Sequence, residues 1–341
     1  MSDQPNIDIE ACTSATSESL SGPANFTPGQ VDIRRQVLEY YTAATADYRA
    51  WSKGLNMHFG YWRAGMSPFN REAMLQELNK QVLQRLNLPS SGPARLVDLG
   101  GGTGATARAA VAAYSNLAVD VVTIVPTQIE MGRQLNGQAV RGNAVTMHCV
   151  DFASTHLPAE SADAVCMIES ACHAEGPTKA TVLAEAYRLL KPGGYFLMVD
   201  AMLLREIPKT GLVSRLMGFA YRRWCLSWAV PEMCRQDLLP QAMEQQGFAR
   251  IKIEDWSWNV APSVAHVPFL ASWFAIREIV RAKGSLPLWR WRHIVASFLT
   301  PLIGLRRCTF TYAAVLARKP LNNASMSDVD ASENRSSDVQ R

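Results

Sequence analysis

The run Val97-Asp98-Leu99-Gly100-Gly101-Gly102-Thr103-Gly104 sets four glycines in five positions directly after an apolar, β-branched stretch. Glycine lets a strand turn tightly into a helix and lets a ligand approach the backbone, while the first N–H groups of that helix stay free for a polar partner. Such a turn is either a plain connection or the cradle of a nucleotide-like ligand. Read from Gly100, the spacing also satisfies G-x-G-x-x-A, so a dinucleotide fold has to be weighed. That fold wants an acid about 20 residues further on, at the end of the second strand, to bind a ribose. Here the second apolar run ends Val121-Val122-Thr123-Ile124-Val125-Pro126, with no acid. Past a later apolar run stand Glu169 and His173. Both exchange protons, and an unperturbed imidazole titrating near ~6.5 can accept one at neutral pH.

The elements that must position these groups alternate. Apolar, β-branched runs at 95–99, 119–124, 145–150, 162–168, 195–199, 251–255 and 310–317 predict strands. Helical stretches at 103–113, 126–136 and 179–190 separate the first five. Alternation of this kind predicts an α/β fold with a mostly parallel sheet and helices on both faces, the last strand being free to run antiparallel. In such a sheet, ligands bind at the carboxyl ends of the strands. Segments of about 31–63, 203–235 and 256–305 do not belong to the sheet and are expected to fold over that edge as a helical lid. Seven of the nine tryptophans lie in the two later segments. So large a side chain is seldom placed without packing.

Asp98-x-Gly100-x-Gly102-x-Gly104 resembles the first motif of class I S-adenosylmethionine-dependent methyltransferases. Asp151-Phe152 after the third strand and Leu189-Leu190-Lys191-Pro192-Gly193-Gly194 before the fifth are similar to later motifs of that family. The resemblance covers about 120 residues in order and implies a Rossmann-like, seven-stranded sheet. The segment Tyr40-Tyr41, Tyr48, Trp51 and His58-Phe59-Gly60-Tyr61-Trp62 resembles the branch containing sterol, tocopherol, cyclopropane fatty acid and terpene C-methyltransferases. So do Thr123 with Gln128, and Glu169-Ser170 with His173. The resemblance implies a cofactor site made by Tyr41, Asp98, Gly100, Gly102, Gly104, Thr123, Gln128, Asp151 and Phe152. With no acid at the end of the second strand, Thr123 or Gln128 is expected to hold the ribose hydroxyls.

In that branch the nucleophile is typically an alkene. Transfer of a methyl then leaves a carbocation, which calls for electron-rich, unreactive walls and a base. Aromatic faces contribute roughly 0.5–2 kcal/mol per well-placed ring, and Tyr40, Tyr41, Tyr48, Trp51, Trp224 and Trp228 are the candidates. For any one of them apart from Tyr41, ordinary packing is the commoner role. His173 is the expected base, against a hydrogen-bonded structural histidine. Glu169 is the second, against a holder of the lid or of the cofactor ammonium. His58 either lines the substrate site or caps its own segment.

Composition bounds the rest. Hydrophobic residues make up 48% and charged residues 19% of 341 residues, which excludes wholesale disorder. Seven cysteines without a C-x-x-C pair suggest neither a zinc site nor a disulfide framework, and so a reducing, cytoplasmic setting. No apolar run reaches the length of a membrane span. Residues 1–30 read as a disordered leader and 321–341 as a disordered tail. Net charge is zero over residues 31–204 but +10 over 205–320. That excess suits an anionic group or an anionic lipid face better than nucleic acid, for which no motif is present. Arg222 with Arg223, Arg290 with Arg292, and Arg306 with Arg307 are expected to grip a phosphate or diphosphate. Mg2+ would then accompany the substrate, although no Asp-rich motif is visible. These expectations converge on carbon methylation of an olefinic isoprenoid such as farnesyl diphosphate, with or without cyclisation. A lipid, quinone or phenol acceptor is the alternative within the class. A non-catalytic cofactor-binding module is the alternative outside it.

Overall fold

The computed structural model describes residues 33–281 and 288–321; the expected leader and most of the expected tail lie outside them. The chain opens with α1 (Ile33–Ala44), a short α2 (Tyr48–Trp51) and α3 (Arg71–Arg85). There follow β1 (Ala94–Leu99), α4 (Ala105–Ala113), β2 (Leu117–Thr123), α5 (Pro126–Asn136), β3 (Val145–Cys149), β4 (Ala162–Ile168), α6 (Ala180–Leu189) and β5 (Leu190–Leu203). The last part comprises α7 (Leu212–Ser227), β6 (Cys234–Arg235), α8 (Leu239–Gln245), β7 (Ala249–Asp255), α9 (Ser257–Arg281), α10 (Leu288–Leu305) and β8 (Phe310–Arg318).

The sheet runs β3-β2-β1-β4-β5-β8-β7, with β6 paired to the end of β5. The first five strands are parallel, and β8 lies antiparallel between β5 and β7. This is the expected α/β architecture, with two departures. The two-residue β6 adds an eighth strand, because Met202 and Leu203 prolong β5 far enough to pair with Cys234 and Arg235. Strand β5 also starts earlier than expected. Lys191-Pro192-Gly193-Gly194 stays in the strand as an irregularity, with the register against β4 shifting between Ala162 and Ala164 and Gly193 at φ +84°.

The strands read as continuous apolar runs because both faces are covered. Val97, Val165, Phe196 and Val315 face α6 and α8. Leu96, Ala164, Leu197 and Ala314 alternate with them and pack toward α3, α4 and the start of α9. A third cluster joins Trp224 and Cys225 of α7 to Ala296 and Ile303 of α10 and to Phe310 of β8. It seats α7 and α10 on the rim of the sheet. The N-terminal segment is tied down by hydrogen bonds: Thr103 Oγ1 to Leu55 O at 3.2 Å, Arg108 Nη2 to Gly54 O at 3.0 Å, and Gly60 N to Ser263 Oγ at 2.8 Å.

Candidate active site

Strand order reverses between the parallel neighbours β1 and β4, with β2 and β3 on one side and β5 on the other. The crevice at that switch point is the place a doubly wound sheet offers to a ligand. Here it holds a cavity of about 640 Å³.

Its floor is the glycine turn. Gly100 has φ +79°, and a Cβ there would collide with Ser170, whose Oγ is bonded at 2.6 Å to Leu99 O. Gly102 has φ +58°, and a Cβ would stand 3.1 Å from Met57 Sδ. Gly104, at φ +78°, caps α4 and does not line the cavity. Asp98 ends in the same floor. Its Oδ1 meets Cys166 Sγ at 3.6 Å, while its Oδ2 is buried without a partner. Burial raises the Asp98 carboxyl to about 7. A carboxylate so placed is incomplete without a cation, and the ammonium of an amino-acid-bearing ligand supplies one.

On the β2 side, Thr123 Oγ1 donates to Gln128 Oε1 at 2.6 Å and accepts from Val125 N at 3.2 Å. The hydroxyl is thus occupied by the protein. Gln128 Nε2, which reaches only Met57 Sδ at 3.7 Å, keeps donor capacity for a ligand. Of the two expected ribose groups, Gln128 keeps the free donor and Thr123 orients it. Asp151 and Phe152 line the far end. Asp151 accepts from Ala153 N at 2.7 Å and pairs with Arg34 of α1 at 2.7 Å, so the first helix is latched across that end.

Two proton-exchanging groups stand opposite. His173 lies in a 3-10 turn, Ala171–His173, after β4. Its Nδ1 is 3.0 Å from Ala229 O, and its Nε2 is 3.0 Å from Tyr41 Oη. A carbonyl can only accept, so the proton resides on Nδ1 and Nε2 accepts from the tyrosine. Burial lowers the imidazole to about 4 and lifts the Tyr41 phenol well above its usual range. The pair is neutral across the physiological range. Glu169 Oε1 accepts from Phe59 N and from Tyr312 Oη, each at 2.7 Å. Glu169 sits at φ +49°, a region that costs a non-glycine residue about 1–3 kcal/mol. Burial raises its carboxyl to about 8.

A second, smaller chamber of about 200 Å³ adjoins the first, sharing Met57, His58 and Glu169 with it. Tyr40, Tyr48, Trp51, Phe59, Trp228 and Phe274 line it. Four of the expected substrate aromatics are therefore gathered in one apolar room. His58 belongs to the shared wall and is held from both sides, Nδ1 at 2.7 Å from Phe59 O and Nε2 at 3.1 Å from Asn79 Oδ1. Burial lowers its pKa.

Four expected substrate contacts fall elsewhere. Arg222 and Arg223 are exposed on the outer side of α7 and line neither cavity, because the inward side of that helix is taken by Tyr221, Trp224 and Cys225 packing on the sheet rim. Arg223 stacks over Phe219, 5.7 Å from its ring centre. Trp224 is buried but serves packing, donating to Thr300 Oγ1 at 3.0 Å and stacking on Trp228. Arg307 is committed to Asp255 and Ser257, joining the end of β7 to the start of α9. The side chains of Arg290 and Arg292 lie outside the described residues.

Several functional positions escaped sequence reasoning. Met57 sits between the glycine turn, Gln128 and the second chamber, with no motif to mark it. Tyr312 reaches Glu169 from β8, 143 residues away in sequence. Lys179 is fully buried, with Nζ donating to Ala174 O at 2.7 Å and Glu232 O at 2.8 Å. It ties the His173 turn to the segment after α7, from which Ala229 holds the imidazole. The signal available for Lys179 was a charge at the opening of a helix, six residues ahead of Glu185. Among the described residues, no group of three or more His, Cys, Asp or Glu side chains forms a metal site.

Residues 97–198 match a family model described as a methyltransferase domain. A sterol 24-C-methyltransferase from Eremothecium gossypii is 26% identical over 248 residues, covering 73% of this chain; the chain spans 63% of that enzyme's length. A cyclopropane synthase from Mycobacterium tuberculosis superposes with a TM-score of 0.69 at 16% identity, over 87% of this chain and the whole of that one. A geranyl diphosphate C-methyltransferase from Streptomyces coelicolor, solved with Mg2+, geranyl diphosphate and S-adenosyl-L-homocysteine, gives a TM-score of 0.59 at 17% identity, over 87% of this chain and the whole of that one.

Proposed function

We propose that this chain, which carries a class I methyltransferase domain, moves a methyl group from S-adenosylmethionine to a carbon of an apolar olefin. The observation that carries the reading is the aromatic chamber opening onto the glycine-turn cavity through Met57, His58 and Glu169. The larger cavity fits the donor. Asp98 Oδ2 lacks the cation that an ammonium would supply, the turn leaves no space for a Cβ at Gly100, and Gln128 presents a free donor toward a ribose. When bound, that donor supplies an electrophilic methyl on a sulfonium.

The residues of the chain do the remaining work. The glycine turn and Asp98 fix the donor's methionine end. Tyr40, Tyr48, Trp51 and Trp228 would hold an alkene beside the donor and turn their rings toward the positive charge that methyl transfer leaves on it. Glu169, at the junction of the two rooms, adds a carboxyl whose ionised form stabilises that cation. Its proton loss is favoured by the same positive charge. His173 and Tyr41 complete the site as a neutral hydrogen-bonded pair. A carbocation is a strong acid, so a base as weak as His173 at about 4 suffices to take its proton, relayed through the Tyr41 hydroxyl.

The described chamber walls bear on the acceptor's head group. Among the described residues, no arginine or lysine lines the smaller chamber, and Arg34 in the larger one is paired with Asp151. This favours an uncharged isoprenoid or lipid chain over a prenyl diphosphate. The deciding assay incubates the protein with trideuteromethyl-labelled S-adenosylmethionine and a panel of prenyl diphosphates, side-chain-unsaturated sterols, unsaturated lipids and phenols. Mass spectrometry is expected to find the label on carbon of an olefin. Label on oxygen or nitrogen, or donor binding without transfer to any of them, overturns the reading.

A further inference from the structure

The lid helices carry a second apolar pattern, on the side away from the chamber. On α7, Leu212, Leu216, Phe219 and Leu226 are 73%, 59%, 57% and 67% exposed. Their spacing of four, three and seven residues puts them on one helical face. Phe269, Trp273, Ile276 and Val280 repeat the arrangement on α9, and Trp291, Val295, Phe298, Leu302 and Leu305 on α10, all exposed. The three helices pack on one another, α10 touching both α7 and α9. Monomeric proteins rarely leave so much large apolar surface uncovered. Arg215, Arg222 and Arg223 share the exposed stripe of α7, and neither α7 nor α10 contains a single Asp or Glu.

We propose that the outward faces of α7, α9 and α10 form a docking surface for an anionic membrane. Apolar side chains interleaved with arginine match such an interface, where the rings and aliphatic groups enter the acyl boundary and the guanidinium groups meet lipid phosphates. Charge argues against a second copy of the chain as the occupant. Two copies meeting on this face would set the α7 arginines of one against those of the other, with no acid on α7 or α10 to offset them. No helix among the described residues is long and apolar enough to cross a bilayer, so the contact is peripheral. The inner sides of α9 and α10, through Leu270, Phe274, Ile294 and Ser297, line the smaller chamber. The same helices thus separate that chamber from the bilayer. The surface stands on these features and not on the methyl-transfer reading, and binding is measured without donor or acceptor.

The test is sedimentation of the full chain with phosphatidylcholine vesicles, with and without phosphatidylglycerol, at low and high salt. Light scattering gives the particle mass in parallel. Binding is expected to the anionic vesicles, weakening with salt. A variant combining Leu216→Ser, Phe219→Ser and Leu226→Ser should partition about ten-fold or more weakly. A variant combining Arg215→Gln, Arg222→Gln and Arg223→Gln should lose the preference for anionic vesicles. All six positions are exposed, and unchanged melting curves would confirm that both variants fold. Absence of vesicle binding overturns the proposal, as does binding unaffected by both variants. An oligomer that the apolar variant splits, with no vesicle binding, assigns the face to a second copy and also overturns it.

Discussion

At the scale of single residues, the site works through groups whose charge is set by burial. His173 donates to the Ala229 carbonyl and accepts from Tyr41, so its tautomer is fixed by its neighbours. Its lowered pKa means that the imidazole gains a proton only near pH 4, far below the usual histidine range. Turnover should therefore show no acid limb assignable to His173 between about pH 5 and 8. The variant His173→Ala should keep donor affinity within about two-fold but lower kcat by roughly 10²-fold or redirect the product; kinetics and gas chromatography of products check this. Asp98 works in the opposite sense. Burial raises its carboxyl to about 7, and an ammonium bound beside it would stabilise the ionised form. Protons and the donor therefore compete, and affinity should fall by up to about ten-fold per pH unit as pH drops below 7. Calorimetry of S-adenosylhomocysteine binding across that range, with Asp98→Asn expected to bind weakly and without the slope, checks it. The glycine turn, Asp98, Tyr41, Glu169 and His173 were legible because a motif marks each. Met57, Lys179 and Tyr312 were not, since their roles come from tertiary neighbours that no local spacing encodes.

At the scale of elements, the strands were the most legible part. Both faces of the parallel strands are buried, which writes each as a short β-branched run, and β4 falls on the expected residues Ala162–Ile168. Helix α5 was also read end to end, because Pro126 fixes its start. The lid was legible only as tryptophan-rich insertions. The sequence marked Arg222 and Arg223 as charge without saying which side of α7 they occupy. That depends on Tyr221, Trp224 and Cys225 being drawn onto the sheet rim. The turn between β1 and α4 gives a sharp test. Gly102→Val forces a β-branched residue to φ +58° and sets its Cβ against Met57 Sδ. Affinity for S-adenosylhomocysteine should fall at least about 10²-fold, while hydrogen exchange in β1 and β2 stays protected; calorimetry and exchange mass spectrometry read the two effects separately.

At the scale of the molecule, the sheet supplies one edge and three sequence-distant segments close it. Helix α1 covers the glycine-turn cavity and is latched there by Arg34 on Asp151. Breaking the latch with Arg34→Gln should raise donor dissociation rates several-fold with little change in melting temperature, since an ion pair with one half-exposed partner contributes at most about 1 kcal/mol; stopped-flow displacement of a fluorescent donor analogue reads this. The account as a whole requires that donor and acceptor meet at the junction bounded by Met57, His58 and Glu169. The most direct measurement is a crystal structure with S-adenosylhomocysteine bound. It should show the ligand's ammonium on Asp98, its ribose at Gln128 and its sulfur facing Glu169 at the mouth of the aromatic chamber. A ligand bound away from the glycine turn, or with its sulfur turned away from that chamber, would contradict the account.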